Sequence, residues 1–485
     1  MPRKTIFLLA SLTLVSLIVY LSGAAYFYRI GFPLDDSWIH LTYARNLALH
    51  GEWSFFTGQN SAGSTSPLWT FLLAFGFFLP GAPYLWTYFL GGLMLFLLAW
   101  RVEVVLRSIQ PAYVTVMPWV GMVIIFEWHL AWAAVSGMEI VLHALLVTSV
   151  LSFLILNQPR FLLSGILTGL SVWARPDGVT LLGPLVLFVL FQRETLHKKV
   201  VNLGKIFLGF AGFFGPYLLF NLLLAGTPWP NTFYAKQAEY ASWQAEPFYV
   251  KLGELFSEYS IGVSLVLLPA VVLILLSSWR KRNWGALLSF VWLAGYSWLY
   301  TDRLPLYQYG RYIMPTIPIF ILLGLIYIIT WYPDVRTRVQ RQLRFAWLAL
   351  IGLMSIILWF YGAYFYAKNV GWIESEMVQT AHWSARNLPQ NALVAVHDIG
   401  ALGYFDNQSK VIDLAGLISP DVIPFIQDEE RLAQYLSEQN ATHMIVFPDW
   451  YPELVKSCQP IFEADGPEAG LSGLGKMTVY DCQKP

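Results

Sequence analysis

Charged residues are scarce in this chain of 485 residues, since Asp, Glu, Lys and Arg together make up 12% of it. Ordinary soluble domains carry about 25%. The 30 basic residues balance the 30 acidic ones. The chain therefore lacks the excess of one sign that a nucleic-acid-binding face or an acidic disordered tail would need, and no nucleic-acid partner is expected. Only two cysteines are present, which excludes a disulfide-rich scaffold and a metal site built from cysteine.

Apolar residues are abundant: 56% of the chain is hydrophobic, and the mean hydropathy is +0.53. This composition predicts a polytopic membrane protein. The first apolar run covers residues 5–28, behind Arg3 and Lys4. It is longer than the apolar core of a cleavable signal, which has about 7–15 residues, and it is long enough to span a bilayer. We therefore expect an uncleaved first membrane helix with its basic start in the cytoplasm.

Further apolar segments follow and bring the predicted number of membrane helices to about eleven. They cover approximately 84–106, 112–135, 140–156, 161–174, 178–192, 203–225, 260–279, 284–300, 312–331 and 345–366. Residues 67–79 are also apolar but only about half a membrane long. This stretch either crosses the membrane or lies against its outer surface.

The distribution of basic residues favours the surface position for residues 67–79. If they do not cross, fifteen basic residues fall in short loops on one side, and eight fall in the longer loops opposite. The fifteen are Arg3, Lys4, Arg101, Arg107, Arg160, Arg193, Lys198, Lys199, Arg280, Lys281, Arg282, Arg336, Arg338, Arg341 and Arg344. A crossing there would place the densest basic loops outside. The positive-inside rule therefore predicts a cytoplasmic N-terminus and an extracytoplasmic C-terminus in the plasma or inner membrane.

The composition changes after Lys368. Residues 392–397 and 443–447 alternate like strands, and a polar helix is predicted near 429–440, with Pro and Gly between the elements. We predict a transmembrane module at 1–368, with a first outer loop at 29–83, and a small extracytoplasmic α/β domain at 369–485. Cys458 and Cys482 both lie in this domain. A disulfide suits an oxidising compartment, and two free thiols are the alternative.

Two adjacent carboxylates, Asp35 and Asp36, follow the first membrane helix directly. A charge at the bilayer centre costs about 2.5–3.5 kcal/mol on insertion scales, so we expect the pair at the outer interface. From Asp36 to Leu49 the pattern is amphipathic, which predicts a helix that lies on the membrane surface and ends at Gly51.

A helix N-cap would account for one of these two acids but not for both. Two like charges side by side raise the pKa of at least one of them, which suits a general base. We therefore predict that Asp36 is catalytic, and Asp35 is either a second catalytic carboxylate or a cap.

Other polar residues lie at the predicted outer ends of the helices. Taken singly, each fits an interfacial anchor or a snorkelling charge. Taken as a set, they join acids and bases on one face, as a site for an anionic lipid-linked substrate requires. The predicted substrate-binding residues are Glu139, Arg175, Asp177, Asn231, Tyr234, Lys236, Arg303 and Arg311, with His40 and Arg45 from the first loop.

No cofactor is indicated by the sequence. The eight histidines show no metal-ligand spacing, and the chain has no Walker loop, no Gly-x-Gly-x-x-Gly motif and no Gly-x-Ser-x-Gly elbow. The Asp35–Asp36 pair leaves room for a divalent metal, but nothing in the sequence points to one. Glu127 and His129 lie inside an apolar segment and are interpreted as a buried polar pair.

These motifs resemble those of GT-C integral membrane glycosyltransferases. The resemblance begins with Asp35-Asp36 and continues through Tyr43-Ala-Arg45-Asn-Leu-Ala48 and Gly63-Ser-Thr-Ser-Pro67-Leu-Trp69. Further matches are Ser136-Gly-Met-Glu139, Ala174-Arg-Pro-Asp-Gly178, Pro230-Asn-Thr-Phe-Tyr-Ala-Lys236, Gly310-Arg-Tyr312, Asp398-Ile-Gly-Ala-Leu-Gly-Tyr404 and Val411-Ile-Asp-Leu-Ala-Gly-Leu417. Within the superfamily the chain is most similar to the branch of mycobacterial terminal arabinofuranosyltransferases. It is more distantly similar to protein O-mannosyltransferases and to the aminoarabinose transferase of lipid A.

The resemblance implies a mostly helical, polytopic enzyme that transfers a sugar from polyprenyl phosphate, usually with inversion at the anomeric carbon. The acceptor would be a cell-envelope glycan, lipid or protein on the outer face. Three departures from the branch's pattern leave the sugar open: Ser37 replaces Ala, Gly63-Ser-Thr replaces Gly-Tyr-Thr, and Asp177 replaces Glu.

Three alternatives remain at this stage. A transporter or flippase of lipid-linked sugars would show internal repeats and charges at the bilayer midplane, and neither stands out here beyond Glu127 and His129. A polysaccharide polymerase or ligase usually concentrates its acceptor site in a long, late outer loop. In a non-catalytic relative, the two carboxylates would only cap a helix.

Overall fold

The computed structural model describes residues 1–79, 83–111, 117–330, 337–471, 473 and 475–483. Five sequence predictions fall partly or wholly outside this range: the start of segment 112–135, the end of segment 312–331, Arg336, part of the first outer loop at 29–83, and four residues of the domain at 369–485. The rest of the chain forms a helical bundle that continues into a small domain with a five-stranded sheet.

Short connections and two longer segments, 28–79 and 226–262, join the apolar helices of the bundle. Its elements up to α10 are α1 (Arg3–Phe27), α2 (Asp36–His50), α3 (Pro67–Ala74), α4 (Pro83–Ile109), α5 (Trp119–Ile125), α6 (Trp128–Val135), α7 (Ile140–Ile155), α8 (Phe161–Ala174), α9 (Leu182–Phe191) and α10 (Leu196–Ala225). Then come α11 (Asn231–Glu239), α12 (Ala241–Gln244), α13 (Phe248–Ser260), α14 (Val263–Lys281), α15 (Trp284–Arg303), α16 (Tyr307–Gly310), α17 (Ile317–Thr330) and α18 (Arg338–Ile373). A short hairpin of β1 (Ser54–Phe56) and β2 (Gln59–Asn60) follows α2.

In the described part of the chain, six helices are long and apolar enough to cross a membrane. They are Arg3–Phe27, Pro83–Ile109, Leu196–Ala225, Val263–Lys281, Tyr307–Thr330 and Arg338–Asn387. The predicted class, a mostly helical polytopic membrane bundle, is confirmed. The pair α5–α6, the helices α7, α8 and α15, and the segment 176–191 would complete eleven spans, and that number stays a prediction.

Residues 67–79 form α3 and one 3-10 turn, Phe75–Phe78. Twelve helical residues extend about 18 Å at 1.5 Å per residue, well short of the roughly 30 Å apolar layer. This length favours the surface position over a crossing.

The predicted pair of Glu127 and His129 lies where α5 ends and α6 begins. The Glu127 carboxylate accepts a hydrogen bond from the Leu130 backbone N–H at 3.1 Å. It also lies 2.8 Å from Nδ1 of His129. It therefore caps α6 while it pairs with the imidazole, so the pair is buried and satisfied.

The outer domain begins where α18 passes through a π-turn, Glu374–Val378, into α19 (Gln379–Asn387). Its strands are β3 (Leu393–Val396), β4 (Lys410–Asp413), β5 (His443–Val446), β6 (Gln459–Glu463) and β7 (Thr478–Asp481), with α20 (Gly400–Phe405) and α21 (Glu429–Glu438) between them. The spatial order is β4-β3-β5-β7-β6, in which β3 pairs in parallel with β4 and β5, and β7 is antiparallel to its neighbours. Cys458 and Cys482 are joined by a disulfide, so of the two alternatives the structure has the bonded one.

Helix α2 differs from its predicted position on the membrane surface. It is helical up to Gly51, whose φ of 71° ends it as expected. However, residues on all its sides are buried, including Trp38, His40 and Tyr43. The reason is that α20 of the outer domain and α3 both pack on it. The polar side chains that suggested exposure to water instead contact other parts of the protein.

Candidate active site

A cavity of about 370 Å³ lies at the ends of several helices of the bundle and includes Asp36 in its wall. The loop before α7, the turn after α8, the end of α15 and the segment after α16 form most of the wall, and α11 closes it. Of the predicted site residues, seven line this cavity: Asp36, Glu139, Arg175, Asp177, Lys236, Arg303 and Arg311. Residues from five distant parts of the sequence therefore meet in one place.

Asp36 is the first residue of α2, and 32% of its side chain is exposed toward this cavity. Its Oδ2 lies 2.7 Å from Nη1 of Arg311. Burial raises the pKa of the Asp36 carboxyl, but the charges of Arg311 and Lys236 outweigh it and lower the pKa below its usual range. Asp36 is therefore an accessible carboxylate, already ionised and held by a guanidinium.

Arg311, Lys236 and the hydroxyl of Tyr312 form one group beside Asp36. The Tyr312 hydroxyl accepts hydrogen bonds from Nη2 of Arg311 at 3.0 Å and from Nζ of Lys236. Arg311 follows a turn in which Gly310 has a φ of 62°, a conformation that glycine adopts at little cost. This turn directs the guanidinium toward α2, where it meets the carboxylate. Two cations thus flank the accessible acid.

A second charged group lines another part of the same cavity. Nη1 of Arg175 lies 2.8 Å from Oε1 of Glu139, and Nε of Arg175 lies 3.4 Å from Oδ2 of Asp177. Glu139 follows Gly137, whose φ is 84° and whose missing Cβ would collide with Phe32. A side chain at this position would push the loop away from the first outer loop.

Tyrosines from α15 complete the second group. The hydroxyls of Tyr296 and Tyr300 both donate to Oδ2 of Asp177, and Nη2 of Arg175 donates to the Tyr300 hydroxyl at 3.1 Å. His143 lies behind Asp177, with Nε2 at 3.9 Å from Oδ1. Tyr312 stacks on Tyr300 with ring centroids 5.4 Å apart, and it thereby joins the two charged groups.

Tyr296 and Tyr300 were missed by the sequence prediction, whose only tyrosine among the site residues was Tyr234, and Tyr312 entered it only as part of the Gly310-Arg-Tyr312 motif. Among 26 tyrosines, composition singles out none. The available signal was spacing: Tyr296 and Tyr300 are four residues apart and so share one helix face, and Tyr312 directly follows Arg311 in the Gly310-Arg-Tyr motif.

The Asp35 carboxylate points away from the cavity, toward the outer domain. Its two oxygens accept hydrogen bonds from the backbone N–H groups of Gly400 at 2.6 Å and Ala401 at 2.8 Å. These are the first residues of α20, so Asp35 binds the positive end of that helix. Burial raises the pKa of Asp35 to about 7, although both hydrogen bonds act in the opposite direction.

Arg45 binds the other end of α20. Its guanidinium donates to the carbonyl oxygens of Tyr404 at 2.7 Å and Gly403 at 3.2 Å. An acid at the N-terminus and a base at the C-terminus match the helix dipole. Helix α2 therefore holds α20 at both ends, and we call the contacts of Asp35 and Arg45 with α20 the α2–α20 junction.

The remaining predicted residues surround the cavity at different depths. Nε2 of His40 lies 3.5 Å from Oε2 of Glu139 in the layer behind the wall. Asn231 donates to the Leu417 carbonyl of the outer domain at 3.3 Å, and Tyr234 packs edge-on against Phe233. The Arg303 side chain is 51% exposed, and its Nε lies 3.9 Å from Asp302. Their predicted contacts with a substrate stay predictions.

A second cavity, of about 210 Å³, adjoins the first between α9 and α15. It shares Thr180 and Leu299 with the first cavity, and its wall is mostly apolar, including Leu187, Leu288 and Trp292. The described residues contain no group of three or more His, Cys, Asp or Glu side chains placed to hold a metal ion.

Solved structures with the fold of the GT-C membrane glycosyltransferases match nearly the whole chain, so the fold of this chain is similar to theirs. The predicted resemblance is thus confirmed at the level of fold. The oligosaccharyltransferase of Archaeoglobus fulgidus, in complex with Zn and sulfate, matches with a TM-score of 0.62 at 12% identity, over 95% of this chain and 71% of that chain.

Two bacterial structures match over a similar extent of this chain. ArnT from Cupriavidus metallidurans bound to undecaprenyl phosphate has a TM-score of 0.58 at 14% identity, over 97% of each chain. The arabinofuranosyltransferase AftD from Mycobacteria has a TM-score of 0.56 at 15% identity, over 100% of this chain and 40% of that chain.

Sequence comparison adds one match within the outer part of the chain. Residues 367–480 match a family described as a domain of unknown function (DUF8728). No curated protein sequence matches the chain.

Proposed function

We propose that this protein is a membrane glycosyltransferase that moves a sugar from a polyprenyl-phosphate donor to an acceptor hydroxyl on the extracytoplasmic face. Asp36 is the general base. One observation carries the proposal: an accessible carboxylate and two flanking cations line a single cavity at the outer ends of a GT-C bundle. A group-transfer reaction with a phosphate leaving group needs these two kinds of charge side by side.

The reaction joins three changes of bonding. The acceptor O–H bond breaks and its proton passes to the Asp36 carboxylate, while the acceptor oxygen forms a bond to the anomeric carbon. The bond from that carbon to the phosphate oxygen breaks, and its electron pair leaves with the phosphate. Phosphate leaves readily, so the site needs no strong general acid of the kind a glycosidase uses.

Arg311 and Lys236 are suited to stabilise the phosphate, because fixed cations in a site of low dielectric stabilise developing negative charge strongly. In the structure Arg311 is occupied by Asp36. A donor phosphate that binds Arg311 would withdraw this partner and raise the basicity of the Asp36 carboxylate. Donor binding thereby activates the base. Arg303, which is half exposed at the cavity wall, is a weaker candidate for the same charge.

Glu139, Arg175 and Asp177 are suited to orient the hydroxyl groups of the donor sugar. Arg175 is neutralised by two carboxylates, so it holds those acids in place and is poorly available to a phosphate. Oε2 of Glu139 and Oδ1 of Asp177 have only long contacts, with Nε2 of His40 at 3.5 Å and Nε2 of His143 at 3.9 Å. Sugar hydroxyls would give these two oxygens shorter hydrogen bonds.

A lipid-linked donor is supported by the second, apolar cavity that joins the first at Thr180 and Leu299. A prenyl chain there would lie between α9 and α15, with its phosphate entering the charged cavity. Related folds bind such lipids: ArnT is known with undecaprenyl phosphate, and the archaeal oligosaccharyltransferase with a dolichol-phosphate and an inhibitory peptide. The acceptor class, whether glycan, lipid or protein, is not defined by these two cavities.

Two observations support placing the cavity outside the cytoplasm. The disulfide between Cys458 and Cys482 suits an oxidising compartment, and the outer domain that contains it packs on the cavity side of the bundle through α2. The asymmetry of the basic loops indicates the same side. We therefore propose a multi-pass plasma or inner membrane protein with a cytoplasmic N-terminus.

Purified full-length protein in detergent, incubated with a radiolabelled polyprenyl-phosphate sugar, tests this function. We expect label to leave the lipid in the wild type, and we expect Asp36→Asn to lower the rate by about 100- to 10,000-fold, the range of general base catalysis. Glu52→Gln is the matched control, because Glu52 is an acid of the same outer loop that bonds the Gly58 N–H at 2.7 Å.

Two results would contradict the proposal. If Asp36→Asn is as active as the wild type, Asp36 is not the base. If vesicles containing the protein move the lipid-linked sugar across the bilayer without breaking the sugar–phosphate bond, the transporter alternative is right.

A further inference from the structure

In the sheet of the outer domain, the chain adds strands first on one side of β3 and then on the other. The chain runs from β3 to β4 on one side and then returns to β5 on the other side of β3, in the spatial order β4-β3-β5 with all three strands parallel. In open sheets of this kind, the connections after the two strands at the reversal lead away in opposite directions. Ligands bind between them, beyond the carboxyl ends of the strands.

Two connections meet at this point. His397 and Asp398 follow β3, and Trp450 and Tyr451 come shortly after β5. Nδ1 of His397 lies 2.7 Å from the Tyr451 hydroxyl, and its ring lies edge-on to Trp450 with centroids 4.6 Å apart. These four residues form what we call the switch-point cluster. It combines an indole, an imidazole, a phenol and a carboxylate.

The switch-point cluster faces the membrane module at Asp36. Nε2 of His397 lies 3.8 Å from Oε1 of Glu239 at the end of α11, the helix that also carries Lys236. Asp398 is two residues before Gly400, which is bound by Asp35. The charges of Asp35 and Asp36 act on the Asp398 carboxyl, and that of Asp36 acts on His397. The cluster and the cavity therefore both lie near Asp36, which is in the cavity wall.

One oxygen of the cluster lacks a partner. Oδ2 of Asp398 is buried and has no hydrogen-bond partner within the described part of the chain. A buried carboxyl oxygen without a partner is costly, and a ligand hydroxyl at this place would satisfy it. Burial, followed by the charges of Asp35 and Asp36, raises the pKa of Asp398 well above its usual value.

We propose that the switch-point cluster is the acceptor subsite and that it takes an uncharged, polyhydroxylated sugar, one hydroxyl of which it presents to Asp36. This inference rests on the proposed function, since it names the acceptor of that reaction. It also gives a role to part of the domain of unknown function at residues 367–480.

The charges near the cluster determine the class of acceptor. Glu239 adjoins it, and Asp36 contributes further negative potential, whereas Arg311 and Lys236 lie in the wall of the donor cavity. An acceptor with a carboxylate or phosphate would be repelled. A neutral sugar can donate hydroxyl protons to the acids and lay its C–H face on the Trp450 indole, whose body is apolar.

The ratio of sugar transferred to added acceptor over sugar released to water tests this subsite. Donor cleavage by water uses the donor cavity and Asp36 alone, so the ratio corrects for the amount of folded enzyme. The probes are methyl glucopyranoside and methyl glucuronopyranoside, which differ only at C6, a hydroxymethyl group in the first and a carboxylate in the second. We expect the neutral glycoside to be used at least tenfold better, and we expect Trp450→Ala and His397→Gln to lower the ratio at least tenfold.

The same domain provides matched controls. Trp383→Ala removes an indole that stacks on Phe462 of the edge strand β6, and His443→Gln changes an imidazole at the amino end of β5. Both positions are in the outer domain but away from the carboxyl ends of β3 and β5, so we expect both variants to keep the wild-type ratio.

Three outcomes would overturn the inference. They are an unchanged ratio in Trp450→Ala and His397→Gln, an equal loss in the controls, and better use of the glucuronoside.

If the wild type releases no sugar from the donor, the proposed function itself fails. Saturation-transfer NMR with methyl glucopyranoside and the same four full-length variants then still decides the question. A signal that Trp450→Ala abolishes and Trp383→Ala keeps supports the subsite, and a signal equal in both variants or absent from the wild type rejects it.

Discussion

The cavity wall and the α2–α20 junction use the same residue type, an aspartate at the start of α2, for different purposes. At the cavity wall, Asp36 is partly exposed and faces two cationic side chains. At the junction, Asp35 is buried, and both its oxygens are taken by backbone N–H groups. A carboxylate paired with side chains can exchange its partner for a substrate, whereas one held by backbone amides fixes a helix.

The geometry of a helix start explains why neighbours in sequence divide in this way. Successive side chains on a helix are about 100° apart, so Asp35 and Asp36 point to different sides of α2. The cavity lies on one side and α20 on the other. The adjacent pair of acids thus connects the chemistry of the bundle with the position of the outer domain.

The largest effect is expected at the cavity wall, where Arg311→Gln removes the cation nearest to Asp36. We expect kcat/KM for the donor to fall by about 100- to 1000-fold, the size found when one donor to a developing anion is removed. Because the two side chains are 2.7 Å apart, the losses in Arg311→Gln and Asp36→Asn should not add in the double variant.

Arg303→Gln is the control for this prediction, since it removes a cation of the same cavity that is half exposed. Exposed charges interact weakly, so less than a tenfold loss is expected. A greater loss in Arg303→Gln than in Arg311→Gln would move the phosphate site to the end of α15.

A smaller effect is expected at the junction, where Asp35→Asn should lower kcat by about tenfold and leave KM for the donor unchanged. The amide keeps one acceptor for the α20 N–H groups, but it lacks the charge. The interaction of such a charge with a helix N-terminus contributes about 0.3–2 kcal/mol to stability. Hydrogen exchange of residues 400–405 should rise in the same variant.

If Asp35→Asn abolishes activity as completely as Asp36→Asn, Asp35 takes part in the reaction and the distinction between the two regions fails. Asp35→Glu provides a further check. This variant restores the charge. If it also restores slow hydrogen exchange at residues 400–405, the loss of kcat in Asp35→Asn is due to weaker binding of α20 to α2.

The pH dependence of stability offers a third and weaker test of the junction. The pKa of Asp35 in the folded protein, about 7, lies above the value near 4 of an unfolded chain. The folded state therefore holds this proton more tightly, and the resulting stabilisation is complete below about pH 4 and is lost as the pH rises to about 7. The Tm of the wild type relative to Asp35→Asn should fall across this range.

A control variant at an exposed acid separates this effect from the loss of a carboxyl group as such. Asp421→Asn fulfils the requirement, because Asp421 is an exposed residue of the same domain. A Tm difference for Asp35→Asn that is constant between pH 4 and pH 7 would show that the carboxyl titrates normally in the folded protein.

Much of the architecture could be predicted from the sequence, because apolar runs and the asymmetry of basic loops follow from the physics of the bilayer. The helical start at Asp36 and its end at Gly51 were predicted correctly, as was the buried pair of Glu127 and His129. Seven of the charged site candidates meet at one cavity, since polar side chains in an apolar bundle collect at its outer ends.

The contacts between distant segments could not be predicted. A single helix pattern cannot show that α20, some 360 residues later in the chain, covers α2, so the amphipathic segment was interpreted as membrane-surface helix. For the same reason Asp35 was interpreted as a second catalytic carboxylate or a cap, and Arg45 was grouped with the substrate-binding residues. The tyrosines around Asp177 were missed because their hydroxyls are ordinary until a helix brings them to a buried acid.

The smallest effect on activity is expected farthest from the cavity, at the disulfide between Cys458 and Cys482. It joins the start of β6 to the residue after β7, at the sheet edge opposite β4. The bond closes a loop with a sequence separation of 24, for which the chain-entropy model gives a contribution of about 3–4 kcal/mol to stability. Replacing both cysteines by serine should therefore lower the Tm of the outer domain. The transfer rate at 25 °C should stay within twofold of the wild type, because the α2–α20 junction and the carboxyl ends of β3 and β5 do not depend on this edge. Differential scanning fluorimetry and the radiolabel assay on the same preparation measure both quantities. A loss of transfer as large as that of Asp35→Asn, with an unchanged Tm, would show that this edge of the sheet contributes to the reaction.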